Sequence, residues 1–305
     1  MRNNRMLGNG LLMLTALIWG TAFVFQRVGM DSIEPITFNA ARMVLAGIVI
    51  GPVAVFIWRK EQGNPAAHIA VEPGQYSRNT IMGGVCCGCF LSIASILQQM
   101  GLVYTTAGKA GFITAMYMLL VPVIGAVFFR RKNTWVVWLA VLLGVAGMYL
   151  LCITEEFRFS YGDTLVSLCA LFFSFHILCC DHFSQRGNPI CISAVQFVTA
   201  AVISGVAAVI FEDPNAGKVI SALLPVIYCG IVSGGIGYTL QIVAQKRTDP
   251  TTASLIMSLE SVFAAIAGAI LLRERMTPRE LSGCIIMFAA VILVQLPAAA
   301  VNKDR

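Results

Sequence analysis

Residues 251 to 272 read TTASLIMSLESVFAAIAGAILL, a run of apolar and small residues broken by one carboxylate, Glu260. An acidic side chain in the middle of a bilayer costs about 2.5–3.5 kcal/mol on insertion scales, so such a residue is a functional candidate by default. Three roles are open to it: pairing with a buried cation, contact with a substrate, or exchange of a proton. Other polar groups interrupt similar runs. Arg42 is either an anchor, pairing with a carboxylate or capping helix-end carbonyls, or a coupling charge. Gln98 and Gln241 each offer amide donors and an acceptor, which suits a zwitterionic or polar ligand as well as it suits a bond between helices. His176, in LFFSFHILCC, is the only histidine well inside an apolar run, either packed with its ring satisfied or facing a cavity where it can carry a proton. Trp19, in WGTAF, can form an aromatic wall, with Gly20 beside it admitting a neighbour. Tyr238 stands one turn before Gln241 and shares its helix face.

These side chains need a scaffold that keeps them out of lipid. The chain has 305 residues, 58% hydrophobic and only 12% charged, against about 25% charged for a soluble domain. Its mean hydropathy is +0.80. That is the composition of an all-α integral membrane protein. A membrane span needs about 20 apolar residues. Ten candidates fit, near 7–26, 35–58, 80–103, 109–129, 134–153, 162–182, 190–211, 219–244, 251–272 and 278–297. Pro35, Pro189, Pro250 and Pro278 sit where helices start, because the first turn has no use for the missing N–H. The longest connection, 59–79, is polar and rich in turn residues. The N-terminal run follows two arginines as a signal peptide would, but it is about 20 residues long and lacks an A-x-A site, so it reads as a retained first span.

The net charge of +6 is not a nucleic-acid signal, because the basic residues lie in short loops between spans. With the N-terminus inside, thirteen Lys and Arg fall on the inner side and six on the outer, while Arg42 and Lys109 lie within spans. The positive-inside rule then places both termini in the cytoplasm. Lys109, at the start of the fourth span, is expected to reach outward to the interface. Asp181 and His182 are expected at the inner interface. The RERMTPRE loop, 273–280, is the one outer loop that runs against the rule.

The ten cysteines all lie in apolar stretches, so they are not a disulfide framework of a secreted protein. Cys86 and Cys89 form a CxxC, but no second ligand pair completes a zinc site, and they read as small packing residues. No metal and no cofactor is expected.

An internal repeat organises the spans. Residues 96–134 align without gaps on 239–277 at an offset of 143, sharing nine of 39 positions, among them Gln98/Gln241, Thr105/Thr248, Arg130/Arg273 and Thr134/Thr277. Tyr117 is the counterpart of Glu260. The offset maps spans 3–5 onto 8–10, so the chain divides as 1–153 and 154–305, five helices each. Five is odd, so the second copy enters the membrane inverted, which also explains why RRK lies inside and its partner RER outside. Inverted repeats around a central midplane cavity are a transporter architecture.

The segments LIWGTAFVFQRVG (17–29), EPITFNAARMVLAG (34–47), LQQMGLVYTTAGKAGFIT (97–114) and LESVFAAIAGAILLRERMTPRELSG (259–283) together resemble the ten-helix EamA-type branch of the drug/metabolite transporter superfamily. The resemblance covers nearly the whole chain. It implies a secondary transporter of small organic metabolites or amino acids in the cytoplasmic (inner) membrane, working by alternating access, with export the expected direction. It also implies a cavity lined mainly by spans 1, 3, 4, 6, 8 and 9, and it matches Arg42 and Glu260 to family positions. The chain departs twice from that pattern. Glu260 is followed by Ser261 where the family often has proline, which puts a proline kink in span 9 in doubt. Arg131 stands where an acidic residue often ends span 4, which removes a possible ion pair at the inner side.

Other functions have less to rest on. A lipid-modifying enzyme would need clustered Ser/His/Asp, paired carboxylates or a metal set, and HExxH, GxSxG and P-loop motifs are absent. A channel or receptor is a further alternative, but the short loops offer no ligand domain. Without an ATP motif, transport would draw on a gradient, with a small-molecule substrate as partner and proton coupling through Glu260 as one mechanism.

Overall fold

The computed structural model describes residues 2–62, 73–105, 107–152, 160–271 and 276–295. The middle of the 59–79 connection, Arg158, Arg273, Arg275, Lys303 and Arg305, and the expected boundary between 153 and 154 lie outside the described residues.

Local chemistry starts the helices where the sequence places its prolines and caps. Helices begin at Pro35, Pro189, Pro250 and Pro278. Asn188 accepts from the backbone N–H of Ile190 and Cys191, and Asp249 from that of Thr252. Ser160 and Asp163 cap each other reciprocally, as do Thr277 and Glu280. Each cap satisfies N–H groups that a helix start leaves open.

Ten helices among the described residues are long and apolar enough to cross a membrane. They are span 1 (Arg5–Gly29), span 2 (Pro35–Glu61), span 3 (Gly74–Tyr104), span 4 (Lys109–Phe129) and span 5 (Trp135–Cys152). Span 6 (Tyr161–Ser184), span 7 (Pro189–Phe211), span 8 (Leu223–Gln245), span 9 (Pro250–Ala267) and span 10 (Pro278–Gln295) follow. Phe56, Phe128, Val209, Phe211 and Ile270 are all exposed, an apolar outer surface that suits lipid. Leu12, Met43, Leu91, Met118, Leu255 and Ile256 are fully buried between the helices.

Span 3 packs most extensively on span 6, span 2 on span 7, and span 5 on span 10. Each pair takes one helix from either side of residue 153, so the two sequence repeats are interleaved. Small residues bring the partners together: a Cβ on Gly283 of span 10 would sit 2.5 Å from the carbonyl oxygen of Gly147 in span 5.

Spans 4 and 9 are both broken, and at matching positions. Span 4 is helical over Ala107–Thr114 and again over Tyr117–Phe129, and span 9 over Pro250–Met257 and Glu260–Leu271. Adding 143 to the first pair of boundaries that flank the break, 114 and 117, gives 257 and 260. At the break, Met116 N–H bonds Ile113 O and Met118 N–H bonds Ala115 O, and their counterparts Leu259 and Ser261 bond Ile256 O and Ser258 O in the same tightened pattern. Span 9 is thus broken without the family proline. The Ser258 hydroxyl bonds the Leu255 carbonyl within the break.

Span 8 holds a third irregularity, an 11-residue π-helical stretch over Tyr228–Tyr238. π-Helix is rare and is found mostly at functional sites. Its glycines let span 2 and span 1 approach closely.

Candidate functional site: a polar cavity at the helix breaks

The break in span 9 directs Glu260 inward. Its carboxylate oxygen accepts a 3.0 Å hydrogen bond from the hydroxyl of Tyr117, at the corresponding break in span 4. Glu260 and Tyr117 are both almost wholly buried. Span 1 crosses at this level: a Cβ on Gly20 would lie 2.6 Å from the Glu260 carbonyl oxygen. Hence Gly20 admits span 9, and Trp19, its neighbour, faces the other way. The Trp19 indole N–H donates to the Ser233 carbonyl in the π stretch at 3.3 Å, and its ring lies 4.7 Å from that of Tyr238.

Arg42 is buried, yet among the described residues it meets neither a carboxylate nor a helix-end carbonyl. Its Nε donates to Asn39 Oδ1 at 2.9 Å and its Nη1 to Gln26 Oε1 at 3.2 Å, while Nη2 has no partner among them. No ion pair joins Arg42 and Glu260 among the described residues. Gln98 donates to the Thr114 hydroxyl at 3.3 Å. Gln241 donates to Gln245 Oε1, one turn on in the same helix, and its own Oε1 is buried without a partner. His176 is fully buried, with Nε2 3.0 Å from Gln196 Oε1 and its ring edge-to-face with Tyr238.

One cavity collects these groups. Trp19, Gln98, Tyr117, His176, Tyr238, Gln241, Glu260 and Arg42, the candidates drawn from the sequence, all line it. The structure adds Gln26, Thr114 and Ser233 as polar lining, and Phe23 and Phe173 as apolar walls. Phe23 and Gln26 follow Trp19 at four and seven residues, a helical face that the spacing alone would have found. Arg42 brings span 2 to a cavity otherwise built from spans 1, 3, 4, 6, 8 and 9. About 30 Å³ is open to the centre of a water molecule, room for roughly two waters at 10–15 Å³ each. A metabolite needs the helices to separate.

The charges at the ends of spans 4 and 6 correct one expectation. Lys109 pairs with Asp163 Oδ2 at 2.5 Å. Arg131, far from removing an ion pair, makes one at 2.6 Å with Asp181. Asp181, at the end of span 6, is thereby a partner of the end of span 4. The two pairs are 22 residues apart along span 4, about 33 Å at 1.5 Å per residue and close to the thickness of the hydrocarbon core.

The CxxC of Cys86 and Cys89 reads as packing, and nothing in the sequence marks the cluster that forms around Cys87. The fold brings Cys87 of span 3 against Cys179 and Cys180 of span 6, with His176 one turn away from Cys180. Residues about 90 positions apart leave no local motif to find.

The profile of the EamA-like transporter family matches the chain twice, over residues 6–153 and 160–296. An uncharacterized transporter of Archaeoglobus fulgidus is 30% identical over 294 residues, covering 93% of this chain and 84% of the relative. The uncharacterized transporter YcxC of Bacillus subtilis is 23% identical, with 92% and 89% covered. A chloroplastic WAT1-related protein of Arabidopsis thaliana is 23% identical, with 92% of this chain and 67% of that protein covered. A solved crystal structure superposes with a TM-score of 0.74 over 96% of this chain and 98% of the other, at 17% identity.

Proposed function

The chain belongs to the EamA-like transporter family, and on that premise we propose that it is a secondary transporter exporting small polar metabolites, zwitterionic amino acids among them. The observation that carries the substrate class is the unpaired chemistry of the cavity. Among the described residues Arg42 has a guanidinium donor and Gln241 an amide acceptor without partners, and the Glu260 carboxyl accepts from a tyrosine hydroxyl. Buried polar atoms without partners are costly unless a ligand supplies them. A substrate carboxylate suits Arg42, and a substrate ammonium suits Glu260 and the Gln241 oxygen.

In this reading the chain lies in the cytoplasmic membrane with both termini in the cytoplasm, and 1–153 and 154–305 are inverted repeats. The cavity opens to each side in turn as helices part at the breaks in spans 4 and 9. Energy comes from a gradient, with Glu260 exchanging a proton for substrate. The matched breaks support this arrangement, since each repeat carries a hinge at the same register.

The test is flux through purified protein in liposomes, loaded with a panel of amino acids and related zwitterions, anions and cations. Counterflow of a zwitterion, lost in Arg42→Gln, is the expected outcome. Flux for no solute in the panel, or zwitterion flux indifferent to Arg42, would overturn the proposal. Right-side-out and inverted vesicles under the same gradient settle direction.

A further inference from the structure

We propose that Cys87, His176 and Cys180 form a binding site for a soft monovalent cation of the copper(I) type. All three are fully buried, and one ligand atom from each lies within 4.8 Å of the others. Cys87 Sγ stands 3.6 Å from Cys180 Sγ, and Cys180 Sγ stands 3.5 Å and 4.0 Å from the two ring nitrogens of His176. Ligands bonded to one central ion at about 2.0–2.3 Å lie roughly 3.5–4.0 Å from one another, the spacing that Cys180 already has to both Cys87 and the His176 ring.

The ligand set selects the ion. Two sulfurs and an imidazole are soft donors, which favour copper(I) and related d¹⁰ ions over magnesium, calcium or manganese. Three ligands suit a three-coordinate monovalent ion better than zinc, whose structural sites close with four. Cys179 Sγ is 3.4 Å from Cys87 Sγ, but the close set of three leaves it out. On binding, the two thiols lose their protons and the ring stays neutral, so the bound site carries one net negative charge.

A supporting group is in place behind the ring. Gln196 Oε1 lies 3.0 Å from His176 Nε2. With Nε2–H donating to that oxygen, the ligand is the farther nitrogen, Nδ1, 4.0 Å from Cys180 Sγ, whose lone pair stays free for the ion, the arrangement that orients ligating histidines in metal proteins. Access is through the cavity, because His176 is on its wall. Cys87 belongs to span 3, and His176 and Cys180 belong to span 6, so a bound ion clips these two helices together beside the cavity.

The proposal is tested by titrating the detergent-purified full chain with copper(I) buffered by bicinchoninate under anaerobic reducing conditions. One ion per chain is expected to bind tightly, and X-ray absorption is expected to show two sulfurs and one nitrogen. Cys87→Ser and Cys180→Ser each weaken binding by more than 100-fold, while Cys86→Ser leaves it unchanged. Gln196→Leu weakens it by about 10-fold, as loss of an outer partner does. Copper(I) also raises the melting temperature of the wild type but not of Cys87→Ser, which reports on the clip even where a variant is less stable. Absence of tight binding by the wild type, or equal binding by the wild type and both serine variants, would sink the site. None of these readouts depends on transport.

Discussion

The hydroxyl of Tyr117 donates to the carboxylate of Glu260 at 3.0 Å, and the two residues occupy the same position in the two repeats, 143 residues apart. The bond joins the two broken helices at their breaks. An acidic group on one side and a phenol on the other make the cavity chemically unequal across it.

Replacing Glu260 by Gln keeps the shape and removes the acid. Uptake driven by a pH gradient is expected to vanish while exchange of substrate for substrate continues. A pH dependence that survives Glu260→Gln would retire the proton role. Tyr117→Phe deletes one bond to a carboxyl group and should lower stability by about 1–3 kcal/mol, read as a drop in melting temperature in detergent.

The Lys109–Asp163 pair is the costlier of the two ion pairs to break. The Asp163 side chain is fully buried and also caps the start of span 6 through Ser160. Removing one member of a buried pair costs about 3–5 kcal/mol. Asp163→Ala is expected to lose a stable fold, and Lys109→Met combined with Asp163→Asn to recover part of the loss. In Asp181→Asn, Arg131 is 40% exposed and water can solvate it, so the loss should be the smaller one. Thermal melting of the three proteins gives the order.

Gly20 is a steric requirement. A Cβ there meets the Glu260 carbonyl at 2.6 Å and the Ala264 nitrogen at 2.8 Å. Both are backbone atoms that cannot rotate aside. Gly20→Ala is expected to cost about 1–3 kcal/mol as overpacking does, and Gly20→Val more. A wild-type melting temperature for Gly20→Val would mean that spans 1 and 9 are not in contact at this level.

Outside the spans, Lys218 holds Glu34 by a short ion pair that lowers the Glu34 carboxyl below its ordinary value of 4.5 and raises the Lys218 ammonium above 10.5. A lowered acid contributes stability above its unfolded value and loses it as pH falls through the folded one. The wild type and Lys218→Met should therefore differ in melting temperature at neutral pH and converge in acid below 4.5. A difference that stays undiminished as the pH falls below 4.5 until the protein unfolds would place the effect of Lys218 elsewhere than in this pair.

Much of this was legible in the sequence because membranes constrain composition. Apolar runs of fixed length set the ten spans, and prolines and caps set their starts. Polar residues had to face inward, so Trp19, Gln98, Gln241 and Glu260 could be placed without coordinates. Pairings across the fold were not legible. Lys109 reads as a snorkelling lysine until Asp163 stands beside it. Arg131 reads as a departure until Asp181 meets it. Cys87 reads as packing until span 6 delivers two thiols and an imidazole. The break in span 9 was obscured for another reason: no proline marks it.

The interleaving of spans 2 with 7, 3 with 6, and 5 with 10 has a bearing on how the molecule comes into being. Neither sequence repeat owns a core, since the main packing of each is lent by the other. A chain halted after its fifth helix presents the surface that its later half will cover, so the early half must wait in the membrane, unfinished, until synthesis ends. The peptide link between the halves then matters less than their meeting. Residues 1–153 and 160–305, made as separate polypeptides in one cell, should find each other and rebuild the whole, while either alone is cleared by proteolysis.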